Sequence, residues 1–172
     1  MGAYQGVLRR VLLSYKERGR RSLAEPLGVL LAAAIARSVD AGTVVLVPVP
    51  ATAAAVRRRR GDHMLRLARV ARATLARAGV PAVVWRALRA RPRPDSTGLT
   101  AAQRVAVAEA ALRPRHWVRR RPTRDGRVVL VDDVLTTGAT AVAAVRVLAE
   151  RGLRVHRVVV LAATRRRSGY RS

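Results

Sequence analysis

The stretch Val128-Val129-Leu130-Val131-Asp132-Asp133-Val134-Leu135-Thr136-Thr137-Gly138-Ala139-Thr140 constrains the fold more than any other part of the chain. It joins an apolar run to two carboxylates and then to a turn of hydroxyls and glycine. Val128 to Val131 are too continuously apolar for a half-exposed strand, so they read as a fully buried strand of a parallel sheet that releases the chain at Asp132. Charge thus appears at a strand's carboxyl end, where open α/β sheets collect ligands. The turn that follows opens a helix expected from about Ala139 to Arg151, and its successive backbone N–H groups suit an anion.

The acids and the turn suit different parts of one ligand. Carboxylates beside a phosphate repel it, so Asp132 and Asp133 are expected to accept hydrogen bonds from sugar hydroxyls or to hold a metal's water shell. Thr136, Thr137, Gly138, Ala139 and Thr140 are left to take the phosphate. The implied ligand is a ribose phosphate. An isolated Asp-Asp or Thr-Gly pair usually means only a turn and a capped helix; the full pattern is what points further.

With 172 residues, half of them hydrophobic, the chain is long enough for one α/β domain spanning 1–172 with a real core. No apolar run approaches the roughly 18 residues of a membrane span, and Met1 to Arg20 has no hydrophobic signal core, so a cytoplasmic protein without a membrane partner is expected. There is no cysteine, hence no disulfide and no thiolate chemistry. His63, His116 and His156 lack ligand spacing, so no zinc is expected. The net charge of +25 draws phosphorylated ligands, nucleic acid and acidic partners. Lys16 is the sole lysine among 35 basic residues; coding bias accounts for that choice of arginine better than for the scarcity of acids. Aromatics make up only 3%, too few for a base-stacking platform, so any single-stranded DNA binding should be electrostatic and salt-sensitive.

Along the chain, Ser22 to Glu25 has the form of a capping box opening a helix to about Ser38. Thr43 to Val47 reads as a buried strand stopped by Pro48-Val49-Pro50, after which a loop carries Arg57 to Arg60. Asp62 caps a helix through Arg77, with His63 in a capping or surface role, and Gly79 stops it. A strand over 82–88 leads to a mobile cationic loop over 89–99. Thr100 and Gln103 form a second capping box, opening a helix to about Leu112. A short strand is expected at 116–118 and a buried one at 155–161. Residues 1–21 read as a hood segment, 164–172 as a basic tail, and Trp85 and Trp117 as packing residues.

The signature resembles that of type I phosphoribosyltransferases, and the order of parts resembles the ComF/GntX family of competence-associated proteins. Besides the signature, the resemblance rests on Tyr15-Lys16-Glu17-Arg18-Gly19, Pro48-Val49-Pro50, Arg59-Arg60-Gly61, Gly98-Leu99-Thr100 and Arg104. The chain departs from that family at Asp62-His63-Met64 and at Val107, and many relatives begin with a cysteine zinc knuckle that this chain lacks. The resemblance implies a mostly parallel sheet flanked by helices under a small hood. It implies phosphoribosyl pyrophosphate with Mg²⁺ as donor, and a nucleobase or amine as acceptor. Asp132 and Asp133 would hold the ribose hydroxyls, and residues 136–140 the 5′-phosphate. Ala51, Thr52, Arg57 and Arg58 would meet the pyrophosphate, and Arg89, Arg91 and Arg93 would close as a lid. No catalytic base is assigned. The competence connection also leaves open a non-catalytic role with single-stranded DNA or other competence proteins, and the chain could be an oligomer.

Overall fold

The computed structural model describes residues 2–92, 98–115, 122–123 and 125–164. Five parallel strands form the central sheet: β1 (Gly2–Ala3), β2 (Val44–Pro48), β3 (Ala82–Val84), β6 (Arg127–Leu135) and β7 (Arg157–Ala163), in the order β1-β7-β6-β2-β3. Two further strands, β4 (Leu88–Ala90) and β5 (Leu112–Pro114), pair antiparallel as a separate ribbon. The helices are α1 (Gly6–Glu17), α2 (Ala24–Ala36), α3 (Ala53–Arg58), α4 (His63–Arg77), α5 (Ala101–Ala111) and α6 (Ala139–Ala149). This is the α/β architecture the sequence implies.

Both faces of the sheet are covered, which is why its central strands carry unbroken apolar runs. Val44 and Leu46 of β2, with Val129 and Val131 of β6, pack under α1, α2 and α4 against Leu12, Leu27, Leu31, Ile35 and Leu67. The alternate residues Val45, Val47, Val128 and Leu130 pack on the other side against Ala143, Ala144 and Leu148 of α6 and Ala108 of α5. Helices α2 and α4 approach closely because residue 28 is glycine: a Cβ there would run into Val70.

Chain direction diverges between β2 and β6. From β2 the chain runs out through α3 and α4 to β3; from β6 it runs through α6 to β7 on the opposite side. The carboxyl ends of β2 and β6 therefore flank a topological switch point, where such sheets bind ligands.

Several elements differ from the sequence reading. Strand β6 does not end at Asp132: it stays paired with β7 through Leu135, so both acids lie within the strand. The Ser22 box does not form. A 3₁₀ turn at Arg21–Leu23 runs straight into α2, whose N-terminal flank, Leu23, makes no side-chain cap. The strand over 82–88 breaks after Val84, where the Ala87 amide folds back onto the Trp85 carbonyl (2.9 Å) and redirects Leu88 to pair with β5. Arg89 thus sits in a strand and not in a loop. Arg57 and Arg58 lie on α3, capped by Thr52, where a loop was expected. The last strand is offset to 157–163. The cap at Asp62 and the capping box of Thr100 and Gln103 form as read. The strand expected at 116–118 and the tail from 165 lie outside the described residues.

Candidate functional site

The pleat of β6 separates its two acids. Side chains alternate across a strand, so Asp133 follows Val129 and Val131 to the α1/α2/α4 face, and Asp132 follows Val128 and Leu130 to the α6 face. At the strand's tip the two environments differ sharply. Asp133 is buried, and its Oδ2 lies 2.8 Å from Lys16 Nζ and 3.5 Å from His63 Nε2. Asp132 is half-buried and borders the turn into α6.

The surroundings set the acids' proton affinities in opposite directions. Burial, reinforced by the neighbouring Asp133 charge, pushes Asp132 up to about 7. Burial also pushes at Asp133, but the close approach of the His63 imidazole and the charge of Lys16 at 2.8 Å outweigh it and hold that carboxyl well below the usual range. At neutral pH Asp133 is a carboxylate fixed by its partners, while Asp132 exchanges a proton readily.

After Leu135 the chain crosses the tip of β7, where Thr164 Oγ1 donates to the Thr136 carbonyl (3.0 Å). Thr136 and Thr137 are exposed. Gly138 then adopts φ 80°, a left-handed conformation that turns the chain into α6 and that a side chain would strain. Thr137 Oγ1 accepts from the Ala139 amide (3.4 Å), and the Val142 amide reaches the Gly138 carbonyl (2.9 Å). The amides of Thr140 and Ala141 belong to the first turn of the helix, whose N–H groups have no acceptor within it. Residues 136–141 and Asp132 surround a recess of about 30 Å³.

This recess adjoins a cavity of about 340 Å³ above the switch point. Its lining includes Ala51, Thr52, Arg91, Asp132, Asp133, Thr136 and Thr140, all singled out from the sequence. Thr137, Gly138 and Ala139 line the recess itself. Arg57 and Arg89 border a neighbouring cavity, Arg58 is exposed with a carboxylate contact to Glu17 (3.8 Å), and Arg93 lies outside the described residues.

Three charged or titratable lining residues were not foreseen in this place: Lys16, Arg59 and His63. His63 is buried, not a surface cap, and Tyr15 donates its hydroxyl to the His63 carbonyl (2.8 Å). Neither His63 ring nitrogen has a partner with hydrogen-bond geometry. Arg59 gives Nη2 to Glu17 (2.7 Å) and leaves its buried Nε unpaired. Consecutive residues Tyr15, Lys16 and Glu17 thus pin the end of α1 to the site. The sequence did carry a signal for this, since Lys16 is the one lysine of the chain and sits beside a buried aromatic.

Among the described residues no group of three or more His, Asp or Glu side chains converges as a metal site. No helix among them is long and apolar enough to cross a membrane. No curated protein matches the sequence. The family described as "Phosphoribosyl transferase domain" matches residues 25–171, which takes in both strands of the switch point, the paired acids and the whole turn into α6. The chain belongs to the phosphoribosyltransferase family.

Proposed function

We propose that the protein binds phosphoribosyl pyrophosphate and transfers its ribose 5-phosphate group to a nucleophile, a nucleobase or another amine. The observation that carries this reading is the coincidence, in one cavity, of a part-exposed carboxyl and an amide-lined turn. The 5′-phosphate would take the amides and hydroxyls of 136–140, and Asp132 would accept from a ribose hydroxyl. The diphosphate would then extend toward Ala51, Thr52 and the unpaired Arg59 Nε. In the reaction the bond from the anomeric carbon to the diphosphate oxygen breaks, and its electron pair leaves with pyrophosphate. The nucleophile's lone pair forms the new bond, and its proton is lost to solvent or to a neighbouring base.

Mg²⁺ fits this scheme as part of the donor. The acids offer hard oxygen ligands for its waters, and when bound it would neutralise charge on the departing diphosphate. The chain's own contribution is to hold the reactants in line and to exclude water, with Arg91 and the β4–β5 ribbon at the rim as the covering element.

Calorimetry tests the reading directly. Phosphoribosyl pyrophosphate with Mg²⁺ should bind the native chain, and Asp132→Asn/Asp133→Asn should weaken binding by about tenfold or more, the worth of one or two charged hydrogen bonds. Undiminished binding in the double variant removes these acids from the site.

The net charge favours a second reading, a ComF/GntX-like accessory in DNA uptake that keeps the ligand site but does not turn over. It predicts single-stranded DNA binding that falls steeply with salt, without pyrophosphate release across a panel of bases.

A further inference from the structure

Helix α2 is apolar on the side that faces solvent as well as on the side that faces the sheet. Leu27, Leu31 and Ile35 are buried in the core, yet Val29 is 40% exposed and Leu30 56%, with Pro26 and Ala33 exposed beside them. A helix that is apolar all round is ordinarily covered all round. Among the described residues nothing covers the outer side of this one.

Charge sets the stripe apart as well. Helices α1, α3, α4, α5 and α6 each carry at least one arginine; α2 carries none, in a chain with 35 basic residues. Its single charged residue, Glu25, is exposed in the first turn, and Arg37 is the exposed residue that ends the helix. Neither makes an ion pair among the described residues. A spacing of four places Glu25, Val29, Ala33 and Arg37 on one ridge, with its acid and its base about 18 Å apart at 1.5 Å per residue.

Such a ridge is complementary to an antiparallel copy of itself. Two-fold symmetry sets Glu25 of each chain against Arg37 of the other and Val29 against Ala33, with Leu30 near the axis. Packing of the two i±4 rows, at a crossing angle of about −50°, lays them side by side. Two chains of +25 repel wherever arginines meet, and this stripe is the helical surface where they meet least. An acidic protein or a nucleic acid would choose the arginine-bearing faces instead. An anionic membrane would find no cluster of cations here to draw it.

We propose that the outer face of α2 is the interface of a two-fold symmetric homodimer, closed by an apolar seam and reciprocal Glu25–Arg37 pairs. One helix pair covers less than the roughly 1,200 Å² of a standard interface, so the dimer is weak and reversible. No residue of α2 lines the ribose-phosphate site, so the interface stands whether or not the chain transfers ribose phosphate.

Sedimentation of the full chain tests this, from about 1 μM to several hundred μM at about 0.15 M salt. A monomer–dimer equilibrium should appear, and Leu30→Ser, at an exposed position, should weaken it by about tenfold or more. Glu25→Arg and Arg37→Glu should each weaken it, and Glu25→Arg/Arg37→Glu, which exchanges the pair and keeps the net charge, should recover most of the loss. Both charges sit at helix ends that favour them, so circular dichroism first checks that each variant keeps its helix; if one does not, Leu30→Ser and Val29→Ser carry the test. A chain that stays monomeric throughout overturns the proposal, and so does a dimer indifferent to Leu30→Ser. Weakening by Glu25→Arg with strengthening by Arg37→Glu would reduce the effect to net charge and remove the reciprocal pairs. Binding of the monomer to anionic vesicles, lost in Leu30→Ser and without any dimer, would give the stripe to a lipid surface and overturn the proposal too.

Discussion

At the residue scale, Asp132 and Asp133 share a chemistry, and one step along the pleat separates their roles. Asp132, raised to about 7, loses its proton near neutrality, so its capacity to accept a hydroxyl hydrogen bond grows as pH rises. Affinity for ribose 5-phosphate should therefore increase between about pH 6 and pH 8 beyond what phosphate ionisation alone gives, and Asp132→Asn should remove that extra step in calorimetric titrations. Stability responds with the opposite sign. Between the unfolded value near 4 and the folded one, the native state holds a proton that the unfolded chain has released, so Asp132 makes stability fall as pH rises through that window. Denaturant unfolding should find Asp132→Asn more stabilising at pH 8 than at pH 5. Asp133, held low, contributes stability above the ordinary carboxylate range and loses it in acid. Its partner Lys16 should matter accordingly. Lys16→Met strands a buried carboxylate and should cost about 1–3 kcal/mol, with Asp133→Asn in the same chain recovering part of the loss in a double-variant cycle. The sequence exposed the two acids and the turn because their spacing is local. It did not expose the contacts of Lys16 and His63 with Asp133, which join positions 117 and 70 residues apart and so leave no periodicity to read.

At the scale of elements, the strands and helices that carry strong apolar periodicity were legible, and so were the caps at Asp62 and Thr100. Helix α1 was not assigned as a helix from the sequence, because its turns mix Arg9 and Arg10 with Leu12 and Leu13 and no side chain caps its start. Strand β1 has two small residues and forms only because β7 offers an edge. The end of β6 was misjudged because charge normally marks a strand's exit; here the pairing with β7 runs on to Leu135, and Asp133 is met by Lys16. The contact of α2 with α4 supplies a sharper test. Gly28→Ala should destabilise the protein by about 1–3 kcal/mol through overpacking against Val70, and Gly28→Ala/Val70→Ala should be less destabilised than the sum of the two single changes. Thermal and denaturant unfolding measure both.

At the scale of the whole molecule, a net charge of +25 makes the native state repel itself. Raising salt from about 0.01 M to about 1 M shortens the screening length from ~30 Å to ~3 Å, so the melting temperature should climb over that range, most steeply at its low end. A flat response would mean that the surplus cations lie far enough apart, beyond pairs such as Glu17 with Arg59 and Glu109 with Arg146, for their repulsion not to govern stability. The same composition gives the chain an unusual chemical asymmetry, since its many cations include a single ε-amine. That amine is partly sheltered against Asp133. An acylating reagent would thus find one side-chain amine, and the rate at which position 16 is acylated would time each parting of α1 from the strand tip.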